Sequence, residues 1–154
     1  MIGKYKAEAI QEMCPWTELD VRTVAYEGQV PLHPIVFLLV DSMEIRKSIF
    51  ESSIKMKPNV DLMIETRAGT NMGLVYTINP KLPSDIEFWD SRWYPDDNAE
   101  VSSCGAVLSV GPTGDILSGY AVWQMMAYFR NNSRIANREL LFCTEGDTLM
   151  NTVQ

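Results

Sequence analysis

Alternation of apolar and polar positions is clearest from Val60 to Pro80. Val60, Leu62 and Ile64 alternate with Asp61, Met63 and Glu65, and Leu74, Tyr76 and Ile78 repeat the pattern before Pro80 ends it. Between the two runs, Ala68, Gly69, Thr70, Asn71 and Gly73 supply residues that tolerate tight turns and positive φ. The stretch predicts a β-hairpin around which the remaining segments are arranged.

Upstream, residues 4–13 place Ala7, Ala9, Ile10 and Met13 on or near one helical face, and Pro15 stops that helix. Val21 to Val30 has strand character, with Glu27-Gly28 as a turn. Pro31 and Pro34 frame His33, and Ile35 to Val40 reads as a buried strand ended by Asp41-Ser42. Residues 45–54 fit two patterns: Ile45, Ile49 and Phe50 a helical face, and Ser48, Phe50, Ser52 and Ile54 a loose strand.

Downstream, Lys81 to Glu100 is turn-rich and predicts a long loop with a short strand around Ile86 to Trp89. Val101 to Val110 reads as a strand, Gly111 to Asp115 as a turn and Ile116-Leu117 as a short strand. Tyr120 to Phe129 is apolar on both faces, so periodicity does not separate strand from helix. The polar connection Arg130 to Arg134 and the apolar run Glu139 to Cys143 favour strand, loop, strand. Residues 145–154 read as a tail. About seven or eight short strands without βαβ alternation predict an all-β antiparallel sandwich or barrel. The expected division is an N-terminal helical or extended arm (1–20), a β domain (21–145) and a tail (146–154).

The length of 154 residues suits one domain, and a hydrophobic content of 46% argues against disorder. A net charge of -7 without a basic arm disfavours nucleic-acid binding through the chain's own charge. Cys14, Cys104 and Cys143 are too few and scattered for a disulfide framework and suit a reducing compartment. The N-terminus lacks the apolar core of a signal peptide. The longest apolar run, Ile35 to Val40, is far short of the roughly 20 residues a membrane helix needs. A soluble protein is expected.

Candidate chemistry is sparse. His33 is the single histidine and has loop context without a catalytic signature. Asp96, Asp97, Asn98 and Glu100 form an acidic cluster without the spacing of a calcium loop. Asp85, Glu87 and Asp90 lie near Trp89 and Trp93, which leaves carboxylate-pair glycoside chemistry open. Gly111-Pro112-Thr113-Gly114 lacks the lysine of a phosphate loop, and Asn131-Asn132-Ser133 matches a glycosylation sequon. No catalytic residue, metal ligand or cofactor is assigned. Arg130, Arg134 and Arg138 recur every four residues, as a basic stripe on a helix or a cluster at a sheet end, where they could meet phosphate or a partner's carboxylates. Phe88, Trp89, Trp93 and Tyr94 are the candidate subunit interface, because large aromatics in loop-rich segments often anchor contacts.

Three segments carry a resemblance. RAGTNMGLVYTINP is similar to a strand, Gly/Thr/Asn turn and strand of jelly-roll coat proteins. VSSCGAVLSVGPTGDILSG resembles a jelly-roll strand entering a Gly-Pro turn, and YAVWQMMAYFRNNSRIANRELLFC resembles the closing strand pair. In order and spacing, residues 35–145 resemble the coat proteins of picorna-like plant viruses, and the small coat protein of comoviruses in particular. The resemblance implies a jelly-roll β-sandwich and a non-enzymatic capsid subunit. Such a subunit assembles with copies of itself and related coat proteins into an icosahedral shell around RNA. It implies a location in the virion, and in host cytoplasm during assembly, with the 88–98 loop and the N-terminal segment as contacts. Two other readings compete. The run IVFLLVD is similar to viral movement proteins of the thirty-kilodalton type, which bind nucleic acid. Trp89, Trp93 and the nearby acids would suit a carbohydrate-binding β-sandwich.

Overall fold

The structure is a computed structural model that describes residues 3–28, 30–70, 72–96, 111–143 and 151–153. Its N-terminal helix α1, Lys6–Met13, buries none of its side chains. Glu8 accepts a hydrogen bond from the Tyr5 backbone N–H at 3.2 Å, and Lys4 pairs with Glu12 along the helix. Cys14 N–H still reaches the Ile10 carbonyl at 3.0 Å, after which Pro15 prevents a further turn.

No strand forms among the described residues of 21–30, contrary to expectation. Gly28 adopts φ +85°, which redirects the chain, and no other strand lies alongside to pair with it. Tyr26 and Leu32 instead pack against the core.

Strand β1, Ile35–Leu38, runs parallel to β2, Leu62–Ala68, with Ile35 opposite Leu62 and Leu38 opposite Glu65. Parallel neighbours need a crossover. It is made by α2, Met43–Ile49, which continues into a π-helical turn at Phe50–Ile54. The Ser42 hydroxyl accepts from Ile45 N–H at 3.2 Å and caps the helix. Met43, Arg46, Ile49, Phe50 and Ile54 are buried at helical spacing. The stretch 45–54, which fitted two patterns, is therefore helical.

The hairpin expected between Val60 and Pro80 is present. β2 and β3, Met72–Ile78, pair antiparallel from Met63 opposite Ile78 to Ala68 opposite Gly73. β2 is buried on both faces, so the sheet must be covered twice. Leu62 and Ile64 point one way; Met63, Glu65 and Arg67 point the other.

After β3 the chain departs from expectation. Residues 83–90 form helix α3, Pro83–Asp90, in place of a loop with a short strand. Pro83 occupies the first turn, where its missing N–H costs nothing, and Ile86 and Trp89 share a buried helical face. Residues 111–130 form one helix, α4, Gly111–Arg130, in place of a turn and two strands. Pro112 again sits in a first turn. The helix ends where Asn132 and Ser133 take left-handed φ of 54° and 61°, and Ser133 N–H reaches back to the Tyr128 carbonyl at 2.9 Å. β4, Glu139–Cys143, pairs antiparallel with β3. β5, Asn151–Val153, in the stretch read as a tail, pairs with β4. The strand expected over 101–110 lies outside the described residues.

The five strands follow chain order, β1-β2-β3-β4-β5, in one mixed sheet. Under one face, α2, its π-turn and α3 enclose Leu38, Phe50, Ile54, Met63, Tyr76, Ile78 and Trp89. Under the other, α4 encloses Leu62, Ile64, Val75, Leu140 and Phe142 through Leu117, Ala121 and Tyr128. At Gly73 an added Cβ would lie 2.8 Å from Leu117 Cδ2 and would strike the Phe142 ring, so this strand position holds glycine to let α4 and β4 approach. The architecture is helix, sheet, helix, a mixed α/β fold. The expectation of an all-β antiparallel jelly-roll sandwich is overturned: one sheet contains a parallel pair, and helices supply both outer layers.

Candidate functional site

Two features stand out from an otherwise ordinary interior and surface. The first is buried between the sheet and α2–α3. Glu65, in the middle of β2, is fully buried, with Arg67 two residues on and on the same face. Arg46 descends from α2 and Trp89 from α3. Glu65 Oε1 accepts from Arg46 Nη1 at 3.0 Å and from Arg67 Nε at 2.6 Å. Glu65 Oε2 accepts from the Trp89 indole N–H and from Arg67 Nη2 at 3.4 Å. Arg46 Nη1 also donates to the Thr66 carbonyl at 2.8 Å, and Arg67 Nη1 to the Arg92 carbonyl at 2.6 Å. The Arg67 guanidinium lies over the rings of Tyr76 and Tyr94, at 4.5 and 5.3 Å.

Two guanidinium groups thus face one carboxylate. Burial lowers the pKa of Arg46, with the nearby Arg67 charge acting in the same sense and Glu65 opposing both. Burial also works against Arg67, but its hydrogen bond and attraction to Glu65 outweigh it and leave its pKa raised. Among the described residues, Arg46 Nε has no hydrogen-bond partner. The Glu65 carboxylate is held on both oxygens and has no solvent exposure, so it is not presented to a substrate. The cluster ties three elements together.

Tyr76, on β3 beside this cluster, has its phenol pushed up from the ordinary value of 10.0 by burial, with the Arg67 charge pulling it back. The native state therefore holds the phenolic proton more tightly than the unfolded chain does. That contribution is complete below about pH 10 and is lost as pH rises further. Denaturant melts should show stability falling above pH 10, and Tyr76→Phe should flatten the fall. An unchanged alkaline slope in the variant would assign the effect to other groups.

The second feature is the outer face of α4. Thr113, Leu117, Ala121, Gln124 and Tyr128 form its buried face. The opposite face carries Ile116, Val122, Trp123, Met126 and Phe129, all exposed, with Trp123 at 52% and Phe129 at 59%. Asp115 and Arg130 are the only charged residues in the helix, one near each end. A surface helix ordinarily turns a polar face outward. This one is apolar on both sides.

The four aromatics singled out from sequence gather on the sheet face covered by α2 and α3 and do not form one exposed surface, whereas the three arginines are dispersed. Trp89 is fully buried against Phe50, with ring centroids 4.1 Å apart. Trp93 is half-buried and donates its indole N–H to the Met43 carbonyl at 3.1 Å. Tyr94 is half-buried beside Arg67, and Phe88 is half-buried with the guanidinium groups of Arg92 and Arg138 at 4.0 and 4.7 Å from its ring centroid. Arg130, Arg134 and Arg138 do not form one stripe. Arg130 ends α4 over the Trp123 ring at 5.4 Å, Arg134 is exposed in the following connection, and Arg138 lies by α3, 3.8 Å from Asp85.

The acids near the tryptophans also face different partners. Asp85 accepts from Asn79 N–H at 2.9 Å, Asp90 pairs with Lys47 and Lys55, and Glu87 is exposed. Among the described residues Asp96 lies against one other carboxylate, Glu44, whose Oε1 accepts from Asp96 N–H at 3.1 Å. Asp96 accepts from the Ser42 hydroxyl at 2.7 Å and from Met43 N–H at 2.5 Å, at the start of α2. Its pKa is lowered by a hydrogen bond shared with Glu44, then by those from Met43 and Ser42. Asp97, Asn98 and Glu100 lie outside the described residues. His33 is exposed. Among the described residues no three His, Cys, Asp or Glu side chains are placed to hold a metal, and no helix is long and apolar enough to cross a membrane.

A cavity of about 430 Å³ lies between α1 and residues 19–30, lined by Ala7, Ile10, Leu19, Val21 and Tyr26. Asp20 and Arg22, which also line it, pair with each other at 2.7 Å. The sequence signal that could have found the buried cluster is the Glu65-x-Arg67 pair on one face of an apolar hairpin. The outer face of α4 was visible only as the two-sided apolarity of 120–129. No protein-family model matches this chain, and no curated protein matches it.

Proposed function

We propose that the chain is a non-catalytic interaction module that docks through the outer face of α4. One observation carries this reading: a helix that already packs one apolar face on the sheet exposes a second, with Trp123 and Phe129 each more than half in solvent. Exposed apolar surface of this kind, contiguous along a helix and flanked by charge, marks an association site. The buried Glu65 cluster is internal bracing in this reading. The coat-protein reading stood on the strand order of a jelly roll, which this sheet lacks. What carries over from it is association with other protein chains, now assigned to α4 and not to the 88–98 segment, where Trp89 is fully buried in the core. The net charge of -7 continues to weigh against a nucleic-acid partner.

Site-specific photocrosslinking tests the surface whatever the partner. A benzophenone amino acid replaces Trp123 in one sample and Ile45, an exposed apolar residue on α2, in another. Illumination of the concentrated chain, alone and in cell extract, should give adducts from position 123 several-fold above those from position 45. Equal or absent adducts at 123 would remove the proposal.

A further inference from the structure

The outer face of α4 carries opposite charges near its two ends, Asp115 and Arg130. From its first charged residue to its last it carries Asp115, Ile116, Gly119, Val122, Trp123, Met126, Phe129 and Arg130. A two-fold axis through the point between Val122 and Trp123 pairs Asp115 with Arg130, Ile116 with Phe129, Gly119 with Met126 and Val122 with Trp123. Each exposed apolar residue thus meets an exposed position, while Ser118, also exposed, meets half-buried Ala127 at the edge of the contact.

Charge and shape agree with that register. Asp115 and Arg130 are exposed, and antiparallel packing sets each against its opposite, whereas parallel packing would set like against like. Arg130 already lies along the face, over the Trp123 ring, and does not reach away from it. Nothing lies within 4 Å of where a Cβ would stand on Gly119, which makes a notch facing a neighbour's Met126 position. Small residues of this kind let two helices approach closely. A lipid surface fits less well: the face offers one cation, and the chain is acidic.

We infer that the chain forms a two-fold dimer in which the outer faces of two α4 helices pack antiparallel, Asp115 of each copy against Arg130 of the partner subunit. This rests on the docking role proposed for α4 and adds the identity of the occupant.

Sedimentation velocity of the full chain, across low to high micromolar concentration, tests it. The parent should show a monomer–dimer equilibrium, and Trp123→Ala should leave it monomeric. Asp115→Arg and Arg130→Asp, each alone, should weaken dimerisation roughly tenfold by placing like charges together. The two in one chain should restore it, because the pair is exchanged across the axis. Circular dichroism checks that each variant keeps its helix content. A monomeric parent would overturn the inference, and adducts from position 123 to a different protein would then leave the docking role standing. A dimer indifferent to Trp123 and to both charge reversals would overturn it as well. Weakening by each reversal without restoration by the pair would reject the antiparallel register.

Discussion

Glu65→Ala should remove about 3–5 kcal/mol from the folding free energy, because it leaves two guanidinium groups in a dry layer without their counter-charge. Arg46 and Arg67 are each 6% exposed, so water cannot replace the lost carboxylate without opening the α2–α3 layer. The loss is a large part of the roughly 5–15 kcal/mol by which domains are usually stable. Urea denaturation followed by circular dichroism measures it. The exchange Arg46→Met, Glu65→Leu, Arg67→Met together with Trp89→Phe should recover much of that stability, since apolar side chains carry no desolvation cost and the indole N–H that donates to Glu65 is removed with its acceptor. A single Glu65→Ala variant within about 1 kcal/mol of the parent would mean that the arginines find other partners.

Trp89→Ala should cost about 3–5 kcal/mol through the cavity left beneath α3 and the π-turn. The indole is fully buried and stacks near Phe50, with centroids 4.1 Å apart. Trp89→Phe separates the two contributions of this residue. It keeps most of the ring packing but removes the donor to Glu65, leaving one carboxylate oxygen with the long 3.4 Å contact from Arg67 Nη2. That loss alone is worth about 1–3 kcal/mol. If Trp89→Phe is as damaging as Trp89→Ala, the indole N–H dominates; if it is nearly silent, packing does. Both are read from the same denaturation curves.

The elements legible in the sequence are those with one clear period. The hairpin of β2 and β3 announces itself because alternation on both sides meets turn residues at Ala68 to Gly73. β1 and β4 were visible as apolar runs, and α1 as a short amphipathic pattern. α4 was not, because a helix apolar on both faces has no contrast for periodicity to detect. The same two-sidedness that concealed the helix is what now marks its outer face for docking. Pro83 and Pro112 fall in stretches that read as turns, yet each begins a helix, a difference of position within the turn that composition does not record. The strand β1 and the helical alternative at 45–54 together would have suggested a parallel crossover. The site was less legible still. Glu65 and Arg67 stand in an alternating strand as ordinary polar positions, and nothing local tells that Arg46, on a different element, meets them.

Arg46 and Trp89 reach Glu65 from two separate helices, and this has a consequence for how the molecule folds. A chain with its sheet formed and one of those helices undocked would hold a carboxylate half-desolvated and half-paired, a state costlier than either end point. Closing α2 and α3 over the sheet is then a single event, with few stable stopping places between an open and a sealed layer. Unfolding monitored at Trp89 and at the backbone should follow one coincident transition, and amide protection in α2 and α3 should be lost together.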